Sequence, residues 1–297
     1  MDRGLGVRLR TARARRATVR ERERRAEFVR GAAEQTSHVA VERDGAIFFL
    51  PTRQKAGIDR LLKPEWKEKR HLARALQALE HAGVAVSRAV FVDVGAHVGT
   101  TAITAVRRFG FRSALAFEPE ESNFRLLRAN VGVNGLEDEI QTFNVAVSNR
   151  VGTAQLKLRP SFGSKHRLVE DADAAGQSTV TVPLTTLDRL VDEGALEPAR
   201  AGLLWLDVEG HELETLQGAR RLLGRSVPIV MEFIPRALRH GGRLGQLVSE
   251  LSRHYTHAVD LRHRLHGKSH LFRLAELEQL ADRYGRGFTD VLVLRHP

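Results

Sequence analysis

The chain has 297 residues, 42% of them hydrophobic, a net charge of +11 and no cysteine. This length allows one large domain with extensions or two small ones, and the missing cysteine excludes disulfides, thiolate metal sites and a cysteine nucleophile. No apolar run approaches the ~20 residues of a membrane span, and the basic N-terminus lacks the apolar stretch of a secretory signal, so a cytoplasmic protein is the expectation.

The charge is uneven. Residues 1–30 carry eleven arginines against Asp2, Glu21, Glu23 and Glu27, a net +7 that leaves only +4 for the remainder. Alternating signs at Arg20-Glu-Arg-Glu-Arg-Arg25 suit an exposed helix laced with side-chain ion pairs. We read this stretch as an Arg-rich tail, residues 1–30. It is a solvated segment or a contact for an anionic surface such as nucleic acid or lipid. No interleaved aromatics support base stacking.

Residues 31–86 read as an N-terminal cap. His38 to Leu50 alternates around Asp44-Gly45, a hairpin signal. Pro64 to His81 reads as a helix with Pro64 in its first turn, Trp66, Leu72, Leu76 and Leu79 on one face and Gly83 as its stop. Such a cap often walls a substrate site.

Residues 87–297 alternate strand and helix. Strands are expected at 89–94, 114–118 and 140–145, with helices at 98–109 and 119–133 between them. An added strand follows at 152–158, and a mobile loop is read at 160–176. Further strands are expected at 179–182, 203–206 and 227–233, with helices at 184–191, 211–223 and 242–254. The segments 257–261 and 290–294 close the sheet as an edge hairpin. This alternation specifies an α/β fold with a mostly parallel sheet covered on both faces.

The organising stretch is Val90-Phe-Val-Asp-Val-Gly-Ala-His-Val-Gly99. A strand ends at Asp93, Gly95 turns the chain, and Gly99 lets the next helix sit close to the sheet. A dinucleotide loop would need glycine at position 97, where it brings backbone to a pyrophosphate. This chain has His97, which suits a ligand without phosphates, and S-adenosylmethionine is such a ligand. Glu118, at the end of the second strand, is placed to accept hydrogen bonds from both ribose hydroxyls.

Ligands of open α/β sheets bind beyond the carboxyl ends of the strands. Asp93, Glu118, Asn144 to Val147, Asp207 and Glu232 stand there. The segment Asp207-Val-Glu-Gly-His-Glu212 adds Glu209, His211 and Glu212. Methyl transfer to a hydroxyl needs positioning and a base for its proton; Asp207, Glu209 and Glu232 are the candidate catalytic residues. For Glu212, helix capping and a direct role are both open. Clustered carboxylates can also hold Mg²⁺, although residues so close in sequence need not face one centre.

These residues match a known pattern. The chain resembles the FkbM-type methyltransferases through Phe91 to Gly99, Ala116-Phe-Glu-Pro-Glu120, Asn130 to Asn134, Asn144-Val-Ala-Val-Ser148, Leu187-Asp188, Leu206-Asp-Val-Glu-Gly-His-Glu212 with Leu216 and Gly218, and Met231-Glu-Phe233. The resemblance implies a Rossmann-like seven-stranded methyltransferase sheet, mostly parallel with one antiparallel edge strand, behind the N-terminal helical and hairpin extension. It implies S-adenosyl-L-methionine as cofactor, and methyl transfer to a hydroxyl on a small molecule, glycoside or saccharide. Asp93, Gly95, Ala96, His97, Gly99, Glu118, Pro119, Asn144, Ala146 and Asp207 would hold the cofactor. His97 stands where Asn is common and His211 where a small residue is common, both affecting the acceptor side. The alternative reading is a binding protein for nucleic acid or another anionic surface, acting through the Arg-rich tail.

Overall fold

The computed structural model describes residues 3–63, 65–159, 166–169, 178–265 and 268–296. A 33-residue helix, Arg3–Gln35, leads into an antiparallel hairpin, His38–Arg43 with Ala46–Pro51. Asp44 and Gly45 both take positive φ in the two-residue turn, as the Asp-Gly pair predicted. The helix runs on past residue 30, and its last turns reach the interior through Val29. A helix the sequence did not signal, Lys55–Leu61, precedes the predicted one, which starts at Lys67 and ends at His81. Pro64, assigned above to its first turn, lies outside the described residues.

The main sheet has eight strands. From one edge they are Lys268–Arg273, His257–Leu265, Thr289–Leu294, Ile229–Phe233, Ala201–Leu206, Val90–Val94, Ser113–Phe117 and Ile140–Phe143. The last five run parallel. Two expectations are corrected. The reversed strand Thr289–Leu294 is not an edge: it lies between Ile229–Phe233 and His257–Leu265 and pairs antiparallel with both. The edge is an eighth strand, Lys268–Arg273, paired antiparallel with His257–Leu265. Its composition, Lys-Ser-His-Leu-Phe-Arg, is too polar to register as a buried strand.

Alternation assigns each strand residue to one of two cores. Phe91, Ala114, Ala116, Leu203 and Trp205 face the hairpin, the helix Lys67–His81 and the helices Thr100–Phe109 and Glu121–Val133. Val92, Val94, Leu115, Phe117, Leu204 and Leu206 face the helices Leu187–Asp192, Glu212–Gln217, Arg220–Gly224, Arg243–Ser252 and Leu277–Tyr284. Period-two burial on both faces is what a parallel sheet between helical layers requires. The cap belongs to the first core, since Phe48, Ile58 and Trp66 pack in one cluster with Phe91, Val98 and Leu127.

The cap is also held by two asparagines. Asn130 Oδ1 accepts from Phe49 N at 2.6 Å, and Asn130 Nδ2 donates to Phe49 O at 3.2 Å and Val98 O at 2.8 Å. Asn134 Oδ1 accepts from Ile47 N at 2.9 Å, and its Nδ2 donates to Ile47 O at 2.7 Å. Four helical residues rise about 6 Å and two strand residues about 6.8 Å. Asn130 and Asn134 on one helix face therefore meet the alternate outward amides of the hairpin edge, as a paired strand would.

Residues 146–185 depart most from expectation. The added strand Gly152–Lys157 joins no strand of the main sheet. It forms a four-stranded sheet with Ala146–Val147, Arg167–Val169 and Thr179–Thr185. Within the loop read at 160–176, Arg167–Val169 is a strand and 160–165 and 170–176 lie outside the described residues. The helix expected at 211–223 is two helices, Glu212–Gln217 and Arg220–Gly224. The break falls at Gly218, where a Cβ would stand 2.0 Å from Ser148 O. Backbone approach at that range admits only glycine.

Candidate active site

A cleft of about 550 Å³ opens at the carboxyl ends of the parallel strands. Gly95, His97, Glu118, Pro119, Ala146 and Asp207 line it, with Asn123, Val145, Leu156, Leu168, His166 and His211.

The loop after Val90–Val94 builds one wall. Gly95 has φ +87°, and a Cβ there would stand 2.1 Å from Asp207 O. Gly95 N and Ala96 N both donate to Phe117 O, which locks the loop to the neighbouring strand. Glu118 is buried, at 5% exposure. Its Oε2 accepts from His97 N and its Oε1 from Glu120 N, both at 2.9 Å. The Asn123 side chain hydrogen-bonds the same carboxylate, and its remaining lone-pair capacity is open to a ribose hydroxyl. Burial pushes the Glu118 carboxyl up to about 7, tempered by these backbone donors.

Four of the ten residues assigned to the cofactor do not line the cleft. Asp93 is buried beneath the loop at 1% exposure, and burial raises its carboxyl to about 7 although Ala102 N–H favours the anion. Ala96 is likewise buried. Gly99 packs against the helix Glu121–Val133, where a Cβ would stand 2.6 Å from Leu127 Cδ1. Asn144 donates to the carbonyls of Glu118 and Pro119 at 3.0 and 3.2 Å, which shapes the strand end. These four support the wall from behind.

The three proposed catalytic carboxylates do converge. Asp207, Glu209 and Glu232 each present an oxygen within 4.8 Å of the others, and Glu232 is buried at 6% exposure. Burial and the Glu232 charge raise the Asp207 carboxyl well above its ordinary range, with Lys67 opposing. Glu209 holds φ +52°, a left-handed conformation uncommon outside glycine. Asp207 alone of the three lines the cleft. Glu212 has turned back, with Oε1 accepting from Gly210 N at 3.1 Å, and burial carries its carboxyl up to about 8. The bond ties Glu212 to the turn ahead of the helix, and the N-cap residue His211 makes no side-chain capping bond.

His97 also takes a left-handed backbone, φ +53°. Its Nε2 is buried with no hydrogen-bond partner, and burial, with Arg60 and His166, lowers the ring to about 3. The imidazole facing the cleft is therefore neutral. His211 Nε2 lies 2.9 Å from Ser148 Oγ, with the ring 3.5 Å from Glu214. Burial lowers its basicity too.

Sequence reasoning missed the cations brought from the cap. Lys67 Nζ sits 3.1 Å from Glu232 Oε1 and 3.2 Å from Asp290 Oδ1. His71 Nδ1 bonds Asp290 Oδ2. Arg60 pairs with Glu68 at 2.5 Å and interacts with Asp207 and Glu232. A helix rich in Lys and Arg reads as a solvated face, and nothing local marks partners some 160 residues away.

A three-layer α/β fold with a ligand cleft at its strand ends and a carboxylate trio beside it defines a Rossmann-like enzyme class. The methyltransferase FkbM domain matches residues 93–281, and the chain belongs to the FkbM methyltransferase family. It is similar to 2-O-methyltransferase NoeI of Sinorhizobium fredii (strain NBRC 101917 / NGR234), 25% identical over 167 residues. The match covers 51% of this chain and 66% of that protein, so just under two thirds of the relative is spanned. Among solved structures it is similar to a methyltransferase FkbM from Methylobacillus flagellatus KT, at 13% identity and TM-score 0.44, covering 93% of this chain and 60% of that one. It is also similar to M. jannaschii TYW2 in complex with AdoMet, at 11% identity and TM-score 0.42, covering 88% of each chain.

Proposed function

We propose that the protein transfers the methyl group of S-adenosylmethionine to a hydroxyl oxygen of a small molecule, glycoside or saccharide. One observation carries this reading. The buried Glu118 carboxylate, held by two backbone N–H groups, faces the same cleft as Asp207, and Asp207 stands beside Glu209 and Glu232. A ribose suits the first end and a hydroxyl acceptor the second.

Glu118 accepts the ribose hydroxyls in this reading, while Val145, Ala146, Leu156 and Leu168 give the adenine an apolar slot. When bound, S-adenosylmethionine would supply an electrophilic methyl carbon with a neutral thioether as leaving group. The chain's residues align the acceptor and remove its proton. Positioning supplies much of the rate in such a transfer, and a carboxylate of the trio takes the proton. Burial and the Glu232 charge raise the Asp207 carboxyl, which makes its anion the stronger base toward that proton. The name of NoeI, a 2-O-methyltransferase, supports oxygen as the acceptor atom.

The test is calorimetric titration with S-adenosylmethionine and S-adenosylhomocysteine, followed by a methyl-label screen of hydroxylated acceptors. Micromolar binding that weakens in Glu118→Ala supports the cofactor assignment. Unchanged affinity in that variant removes Glu118 from it, and no binding at all refutes the activity.

A further inference from the structure

The trio Asp207, Glu209 and Glu232, with Asp290 beside it, concentrates four carboxyl groups at one end of the sheet. An assembly of this kind is unstable without a counter-charge. Hard oxygen donors at this spacing are what Mg²⁺ and Mn²⁺ take. Here the cap inserts an ammonium instead. Lys67 Nζ bridges Glu232 Oε1 at 3.1 Å and Asp290 Oδ1 at 3.2 Å, and it stands 5.0 Å from the Phe288 ring centroid. The lysine side chain is only 22% exposed. His71 takes the far oxygen of Asp290, which fixes that carboxylate from behind. The second oxygen of Glu232, Oε2, is buried with no partner.

We propose that Lys67 is the resident cation of this carboxylate rim, a positioning residue that fills the seat a divalent ion would otherwise take. It grips one oxygen of Glu232 and holds that carboxylate against Asp207 and Glu209. Electrostatics agree: burial opposes charge on Lys67, yet Asp290, Asp207, Glu232 and Glu68 hold its ammonium above the ordinary lysine range. The inference rests on the reading of Asp207 and Glu232 as the acceptor side, and it brings the cap into the reaction. The cap helix then delivers the charge that balances the rim as well as covering it.

The test uses Mn²⁺ alone as probe, followed by electron paramagnetic resonance on the full chain. The parent and Lys67→Arg are expected to show no site at the rim. Lys67→Met, which keeps the chain length, and Lys67→Ala, which opens more room, are each expected to gain one. Binding should be about tenfold or more tighter than to the parent, and lost again when Glu232→Gln is added. A role confined to packing would not create a metal site. Two results overturn the proposal: a parent that already binds Mn²⁺ in a Glu232-dependent manner, or charge-removed variants that fold and bind none. Titration of the same variants with S-adenosylhomocysteine reads the other end of the cleft. If that ligand fails to bind even the parent, the methyltransferase reading falls while the Mn²⁺ result still decides the role of Lys67.

Discussion

Replacing Asn130 with alanine tests how the cap is held. The residue is fully buried, and the change removes three side-chain hydrogen bonds, to Phe49 N, Phe49 O and Val98 O. Phe49 is half-buried, so water can partly replace the asparagine at its two backbone groups. Each of those losses is worth about 1 kcal/mol. Val98 is 1% exposed, and its carbonyl would be stranded at a cost of about 1–3 kcal/mol. The expected destabilisation is therefore roughly 3–5 kcal/mol. Asn130→Asp should cost at least as much, because it sets an oxygen against two carbonyl oxygens while conserving shape. Asn134→Ala should cost less, about 1–3 kcal/mol, since Ile47 is 36% exposed. Equilibrium unfolding in urea gives the values, and the two tryptophans report separately: Trp66 from the cap and Trp205 from the central sheet. Both Asn130 variants within 1 kcal/mol of the parent would refute the clamp. A separate early transition of Trp66 in the parent would refute the shared core.

Three further outcomes follow from the site. Ribose hydroxyls favour the ionised form of Glu118, whose free carboxyl is raised to about 7. Affinity for S-adenosylhomocysteine should rise up to about tenfold per pH unit below 7 and level off above it, and Glu118→Gln should flatten that profile in calorimetry. Glu212 has a folded-state carboxyl at about 8 against an ordinary value of 4.5. The folded chain keeps a proton there that the unfolded chain loses, so this group withdraws stability as pH rises from about 4.5 to about 8. Glu212→Gln should melt near the parent at pH 5 and more stably at pH 9, by a few kcal/mol (about 3–5); an equal shift at both pH values would contradict the linkage. Gly95→Ala combines φ +87° with a Cβ 2.1 Å from Asp207 O. It should cost about 2–4 kcal/mol and abolish cofactor binding, and parental affinity in a folded Gly95→Ala protein would show that the loop does not form this wall.

The sequence carried the parts of this fold that obey a period. Strands buried on both faces, such as Val90–Val94 and Ala201–Leu206, read clearly because their apolar runs end in a carboxylate and a glycine turn. Glu118 and the convergence of Asp207 with Glu232 followed from the rule that strand ends point to one side of the sheet. Elements without a run of apolar residues were missed. Lys268–Arg273 is a polar edge strand, and the small sheet around Gly152–Lys157 arises from pairings between segments up to about forty residues apart. The helix Leu277–Tyr284 was missed although Leu277, Leu280 and Ala281 bury one face of it. Four assigned cofactor residues proved to sit behind the wall, because a motif marks residues that shape a loop and residues that touch a ligand alike. Lys67 and Arg60 were invisible for another reason: they join the site only through tertiary docking of the cap.

That docking has a consequence for variation. Asn130 and Asn134 read the backbone amides of Ile47 and Phe49, and a peptide group is the same whatever side chain it bears. Side chains of the hairpin and of the segment after it can thus change without losing this part of the anchor. A cap held this way can exchange its side chains while staying in register, much as a lens can be changed on a fixed mount. Hairpin sequence is then open to alteration with Glu118 and its loop left untouched.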